Sequence, residues 1–285
     1  MGINEQAWRD AEAAAARGGL TVRNLVEHDE LDAAREVWDL AWPSVEEGTQ
    51  VTPNLLRAIE HSGGYVAGAY DDDQMVGAAL AVVARTRTDG GWQHHLHSHL
   101  VATSRADRGV GTALKVHQRA WALDHDLPTV VWTFDPLVRR NARLNLVKLG
   151  GTVSSYLPDF YGQMTDALNV GDPSDRLLLT WDLASDRVAR ALSGQSSSPS
   201  ATDLLDGGAA LGLALENWGI PVATEQVSAI TLVAVPEDII ELRRTDPTEA
   251  TAWRVAMRNA LQPLLGAGAV VTGLTVEGDY VVEVP

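Results

Sequence analysis

The sequence predicts a mixed α/β protein: an α/β domain over residues 1–184, a linker at 185–203, and a small α/β extension over 204–285 packed on the first domain. Three observations predict it. Segments of strand-like alternation are interleaved with segments of helical periodicity and parted by Gly- and Asp-rich turns. A glycine-bearing turn, SRADRGVGTALK (104–115), joins a strand to a helix. A stretch rich in Ser, Gly and Pro, SDRVARALSGQSSSPSATD, then breaks the apolar pattern. With 285 residues, 45% of them hydrophobic and 21% charged, the chain can bury a proper core.

The elements follow in order. An alanine-rich helix covers Asn4 to Arg17, and the alternation of LTVRNLV (20–26) reads as a strand. DELDAAREVWDLAW (29–42) sets Leu31, Ala34, Val37, Trp38 and Trp42 on one helical stripe, which Pro43 ends. TPNLLRAIEHSGG carries a Thr N-cap, a Pro at the first helical position and a Gly stop. Three strands come next, at 64–71, 74–86 and 92–103, joined by the hairpin turns DDD and RTDGG. After the glycine turn, Val110, Ala113, Leu114, Ala120 and Trp121 form a helical stripe, and the apolar run TVVWTFD (129–135) suits a strand covered on both faces. PLVRRNARLNLVKLGG reads as a helix with a Gly stop, and TVSSYL and RLLLTWDL (176–183) as two closing strands. Beyond the linker the pattern gives a strand, a short helix, a longer helix and a hairpin, whose strands are candidates to extend the sheet.

Composition excludes several functions. The absence of cysteine removes disulfides, thiolate metal ligands and thiol nucleophiles. A net charge of −16 argues against general nucleic-acid binding, which depends on neutralising phosphates with Lys and Arg. No apolar run approaches the roughly 18 residues that span a bilayer, and MGINEQAWRD lacks the order of a signal peptide, so a cytoplasmic protein with no membrane partner is expected. Against the acidic background, Arg105, Arg108, Arg139, Arg140 and Arg143 form a basic patch that coincides with the glycine turn.

That turn is the first candidate site. Backbone N–H groups from Arg108 to Ala113 would face an anion at a helix start, where glycines allow close approach and the helix dipole favours negative charge; an ordinary strand-to-helix turn is the alternative. HHLHSHL is the second. Alternation puts His95, His97 and His99 on one strand face and His94, Leu96, Ser98 and Leu100 on the other. Same-face neighbours on a strand lie about 6 to 7 Å apart, so three histidines converge poorly on a metal, and none is expected.

These features in this order resemble the Gcn5-related N-acetyltransferase (GNAT) superfamily over residues 20–184. The phrases HSHLVAT, RGVGTALKVHQRAWAL, WTFDPL, RNARLN, LPDFYGQMTDALN and SDR, with VAVPEDI and AWRVAMR near the C-terminus, resemble a bacterial subgroup of it. The resemblance implies a GNAT-like fold and an acyl-CoA, most simply acetyl-CoA, as co-substrate, with no metal. It implies that SHLVAT splays from its neighbour and offers backbone at Leu100 and Val101 to the pantetheine arm. It also implies that Arg108, Gly109, Val110, Gly111, Thr112 and Ala113 hold the diphosphate, with Arg105 as an outer contact. The sequence departs from the family at Ala106, where Arg or Gln is usual, and at Leu146, where a tyrosine often protonates the leaving thiolate.

In that setting His97 or His99 could serve as the base for an acceptor amine, with histidines satisfied by structural partners as the alternative. Asp135 could orient a base or bind a cationic acceptor, or else cap the helix begun at Pro136. Asn141 and Asn145, four apart on one helix face, could reach the pantetheine amides. Tyr156 and Tyr161 are the nearest stand-ins for the proton donor. The long polar loop YGQMTDALNVGDPSDR offers Tyr161, Asp166, Asn169, Asp175 and Arg176 as acceptor contacts, unless Asp175 and Arg176 simply pair; Glu46 and Glu47 are either acceptor-shaping or solvated charges. The expected activity is transfer of an acyl group to a small-molecule amine, which leaves a homodimer open. The alternatives are a GNAT-like fold turned to decarboxylase or lyase chemistry, or a non-catalytic acyl-CoA-binding module.

Overall fold

In the computed structural model, residues 2–43, 48–104, 109–164, 172–215 and 219–285 are described. Along the chain they form α1 (Ile3–Arg17), β1 (Thr21–Asn24), α2 (His28–Ala41), α3 (Pro53–His61), β2 (Tyr65–Asp71), β3 (Gln74–Thr88), β4 (Gly91–Thr103), α4 (Val110–Asp124) and β5 (Thr129–Phe134). There follow α5 (Arg139–Ala142), a π-helical segment (Arg143–Lys148), β6 (Thr152–Leu157), β7 (Arg176–Asp182), α6 (Asp186–Leu192), α7 (Ala201–Asp206), β8 (Ala210–Leu215) and β9 (Pro221–Ala223). The chain closes with β10 (Ile230–Val233), α8 (Ile239–Thr245), α9 (Pro247–Gly266), β11 (Val270–Leu274) and β12 (Tyr280–Glu283). Helices with a mixed parallel and antiparallel strand pairing make this an α/β protein, as predicted.

The chain divides into two compact units: one over residues 2–132 with 182–185, the other over 133–164, 172–181 and 186–285. In the first, strands run in the order β1-β2-β3-β4-β5. The first four are antiparallel neighbours, and β5 is parallel to β4. The stripe read from the sequence brings Leu31, Ala34, Val37 and Trp38 of α2 onto Leu80 and Ala78 of β3, where Trp38 Nε1 donates to the Ala78 carbonyl at 3.1 Å. Alternate residues of the strands face α4 instead, and α4 is covered in turn by α1 through Ala7, Ala11, Ala14 and Ala15. Glu27 and Glu30 form a capping box at the start of α2, whereas Thr52 occupies the N-cap of α3 without a side-chain capping bond.

Because α4 is covered on two sides, it buries far more than the predicted stripe. Lys115, His117, Gln118 and Arg119 are all buried alongside its apolar residues. Arg119 pairs with Asp10 at 3.0 Å and donates to the Leu183 carbonyl. His117 Nδ1 lies 2.9 Å from the Tyr65 hydroxyl, and burial lowers its pKa to about 4. The unfolded chain, with an ordinary histidine, therefore binds the extra proton between about pH 6.5 and 4. This stabilisation is complete above that window and is lost as pH falls through it, by about 3 kcal/mol in all. Denaturant unfolding at a series of pH values should show this loss in the native protein and its absence in His117→Gln.

The second unit has strands in the order β7-β6-β11-β12-β10-β8-β9. Its β11 pairs with β6 at Val271 and Val153, so the C-terminal strands extend the sheet to which β6 and β7 belong, as the pattern suggested. α9 packs on β6 and buries Trp253, Met257 and Leu261. Two differences from the sequence reading stand out. The stretch read as a linker holds α6 and the start of α7, because Val188 and Ala191 pack inward and Ser200 caps α7 at Asp203 N. The strands β8 and β9 were not foreseen: β8 carries Gly212 in its interior, and β9 is three residues opening on Pro221. Among the described residues no helix is long and apolar enough to cross a membrane.

Candidate functional site

Gly109, whose φ of +73° is open to glycine at little cost, is the N-cap of α4 and itself brings no capping side chain. The N–H groups of Val110, Gly111 and Thr112 belong to the first turn, which has no carbonyl partners within the helix. Ala113 differs from expectation: its N–H makes the first helical bond, to the Gly109 carbonyl at 2.9 Å, and so is not a free donor. Among the described residues, a Cβ built on Gly109 would meet nothing within 4 Å and one on Gly111 only Thr103 at 3.9 Å, so these residues leave room before both. The helix start is held against the sheet by close packing, since a Cβ on Gly77 of β3 would come within 2.6 Å of Val110. Space, first-turn N–H groups without helical partners and the helix dipole together fit a diphosphate. Arg105 and Arg108, expected beside it, lie outside the described residues, as do Ala106, Glu46, Glu47, Asp166 and Asn169.

β4 leads into this helix start, and its register with β3 shifts between Leu80 and Ala81. Leu80 faces Leu100 while Ala81 faces Ser98, which leaves His99 as the extra residue of a β-bulge. The bulge overturns part of the alternation read from the sequence. Leu100 lies with the α2 face, packed on the cluster of Leu31, Val37 and Trp38, rather than on the face of Ser98, which meets α4. On its other edge β4 is in register with β5 only at Leu96 with Val130 and His97 with Val131. The segment from Ser98 onward, including Leu100 and Val101, therefore keeps β3 as its register partner, as a splayed strand would.

His97 and His99 have ring centroids 6.4 Å apart, with His97 half-buried and His99 exposed. Burial lowers the pKa of each; the neighbouring charges of His99, His95 and Lys115 lower that of His97 further. Both are thus neutral at pH 7 and able to accept a proton. Among the described residues no three His, Asp or Glu side chains are grouped to hold a metal ion.

The sequence reading missed Lys115. Its ammonium donates to Ser98 Oγ at 2.8 Å and to Gln118 Oε1 at 3.2 Å, and sits 3.7 Å from the centroid of the Trp132 ring. The residue is 4% exposed, and burial pulls its pKa well below the usual lysine value. The signal was present in the run KVHQR: polar residues at every helical angle of a segment whose flanking apolar residues also point every way mean a helix covered on both sides.

In the second unit, the carboxylate of Asp135 is fully engaged. Arg254 binds it through two nitrogens at 2.9 Å each, Arg243 adds a bond at 2.6 Å, and Oδ1 accepts from Leu137 N. Burial would raise this carboxyl, but Arg254 above all, with Arg243 and the Leu137 N–H, outweighs burial and holds it well below the usual range. Asp135 accepts from Leu137 N in the turn after Pro136, but it caps no helix there, because the helix read from Pro136 starts only at Arg139 with Val138 as its N-cap; its charge is met by the protein's own guanidiniums. Removing that charge leaves Arg254 and Arg243 to share Asp172, which they also bind at 2.8 and 2.7 Å, so Asp135→Asn should cost about 1.5–3 kcal/mol in chemical denaturation.

The neighbouring candidates are likewise distributed. Asp175 pairs with Arg258 and accepts from Tyr156 Oη at 2.6 Å, while Arg176 donates to the Asp175 backbone carbonyl; the expected Asp175–Arg176 pair is replaced by one to α9. Burial and then Asp175 raise the Tyr156 pKa, which removes it as an acid. Tyr161 is 42% exposed and shares a 3.0 Å hydrogen bond with Thr133 Oγ1. Asn141 is exposed and Asn145 buried, because the helix widens to a π-helical turn after Ala142 and the four-residue spacing no longer marks one face. Arg139 and Arg143 donate to backbone carbonyls of Val235, Glu277 and Val276, so these members of the basic patch brace the C-terminal segment.

Residues 28–150 match the model of the acetyltransferase (GNAT) family. The match bears out the superfamily resemblance and the expectation of an N-acetyltransferase; it does not reach the finer subgroup. No curated protein matches the chain. Solved structures with a similar fold include an N-acetyltransferase from Staphylococcus aureus (13% identity, 58% of this chain and 99% of that one, TM-score 0.43). Another is a GNAT-family acetyltransferase from Streptococcus pneumoniae (12%, 56% and 98%, TM-score 0.44). A third is the ribosomal-protein-S18-alanine N-acetyltransferase of Escherichia coli (14%, 58% and 95%, TM-score 0.45). Likeness at this level does not bear on substrate.

Proposed function

We propose, from the acetyltransferase (GNAT) family match over residues 28–150, that this chain transfers an acyl group, most simply acetyl, from acyl-CoA to a small-molecule amine. The observation that carries the reading is the glycine-opened start of α4 at the end of a bulged strand. Val110, Gly111 and Thr112 would hold the diphosphate, and the β4 backbone at Leu100 and Val101 would take the pantetheine arm. His97 or His99 accepts the proton of the acceptor amine, whose nitrogen then bonds to the thioester carbonyl carbon as the carbon–sulfur bond breaks. Backbone N–H groups of β4 polarise the carbonyl oxygen. The departing thiolate takes a proton from solvent or from a hydroxyl donor, the role the sequence reading offers to Tyr161. A net charge of −16 favours encounter with a cationic acceptor.

Calorimetric titration with acetyl-CoA and with free CoA tests the donor, and micromolar binding is the expected result. Absence of heat with both ligands overturns the reading. A screen for thiol release should then set small amines against peptide N-termini, and transfer to peptides alone overturns the small-molecule part.

A further inference from the structure

We propose that Arg176, which opens β7, anchors the carboxylate of a small organic ligand beside the exposed aromatic pair Phe160 and Tyr161. The proposal is independent of acyl transfer and holds or fails apart from it. Charge carries it first. Arg254 and Arg243 both bind Asp135 and Asp172, and Arg258 binds Asp175, so these carboxylates of the second unit are taken. Arg176 is only 7% exposed, yet among the described residues no carboxylate lies within ion-pair distance of it. A buried cation without a counter-charge is costly to the fold, and a ligand that brings the negative charge offsets that cost.

The hydrogen bonds of Arg176 leave a place for such a ligand. Nη1 donates to the Asp175 backbone carbonyl at 2.8 Å and Nη2 to Met164 Sδ at 3.0 Å. A guanidinium has five N–H donors, whereas a thioether is a weak acceptor on an unbranched side chain that changes rotamer readily. Exchanging that sulfur for a carboxylate gives the paired, charge-assisted bonds that an arginine fork is shaped for. The aromatic wall beside it is set in advance. Arg176 Cζ is 5.3 Å from the centroid of the Tyr161 ring, which packs edge-on against Phe160 at 4.7 Å. Tyr161 N donates to Ser174 Oγ and Tyr161 Oη shares a hydrogen bond with Thr133 Oγ1, which holds the residue at both ends. Phe160 is 47% exposed and Tyr161 42%, and open aromatic surface next to a cation selects a carboxylate carried on an apolar skeleton over a bare inorganic anion.

The test is an NMR titration of the full chain with phenylacetate, and with its uncharged amide, phenylacetamide, as control. The Arg176 Nε–H resonance, assigned by its loss in Arg176→Gln, should shift saturably with phenylacetate at millimolar concentration and stay in place with phenylacetamide. Affinity for phenylacetate, read at the Tyr161 amide, should fall about tenfold or more in Arg176→Gln. No saturable shift, an equal shift with the amide, or a response to inorganic phosphate alone overturns the proposal. Stability gives a second readout. Arg176→Met replaces a cation that has no carboxylate, so it should unfold at the same urea concentration as the native protein or at a higher one. A lower midpoint assigns the guanidinium to folding and overturns the binding role. None of these measurements uses CoA, so a failure of acyl transfer leaves their result intact.

Discussion

Gly109→Glu should abolish measurable CoA binding while the protein remains folded. Gly109 sits at φ +73° with no described residue within 4 Å of where its Cβ would project, immediately before the first-turn N–H groups of α4. A glutamate there places a carboxylate in that space, where it can cap the N–H groups itself and repels a diphosphate. The left-handed backbone adds about 1–2 kcal/mol of strain to any non-glycine residue, so the substitution needs a control that carries the strain alone. Gly109→Ala is that control. Its stability should fall about as much, and its affinity for CoA far less. Calorimetry with circular dichroism on the two variants checks this, and equal loss of affinity in both would mean that backbone strain, not the anion site, is being measured.

Replacing His97 and His99 together by alanine should lower kcat about 10²–10⁴-fold, the range that general-base catalysis supplies, with CoA affinity nearly unchanged. The single variants assign the role between them. Because burial and the neighbouring charges lower the His97 pKa below the ordinary 6.5, native activity should be flat from neutral pH upward and fall only as acid protonates the ring. The direction matters: an acid limb above pH 6.5 would contradict a buried base. An unaltered rate in the double variant removes the histidines from the chemistry and leaves the amine to lose its proton to solvent.

Much of the first unit was legible because its signals are local. Apolar segments parted by the turns DDD and RTDGG mark strands read at 64–71 and 74–86 and found at 65–71 and 74–88, the Leu31–Trp38 stripe fixes the buried face of α2, and Gly109 with Gly111 marks a helix start. The histidine-rich strand was equally plain. What alternation could not reveal was the extra residue at His99, since a bulge changes the pairing partner of a strand without changing its own composition. The sequence reading therefore put Leu100 on the wrong face. The widened turn after Ala142 misled in the same way, as the spacing of Asn141 and Asn145 marks one face only in a regular α-helix.

By itself, then, the sequence determined the α/β class, the order of the strands and helices in the first unit, the glycine-opened start of α4 and the histidine strand, all of which follow from short-range periodicity and backbone sterics. Tertiary structure alone decided which charges are spoken for. Asp135 meets Arg254 at a separation of 119 residues, Asp175 meets Arg258 at 83, and Lys115 finds Ser98 across a helix–strand contact. Such pairings arise because a buried charge must find a partner wherever packing brings one, and no local pattern in the chain records the distance it spans.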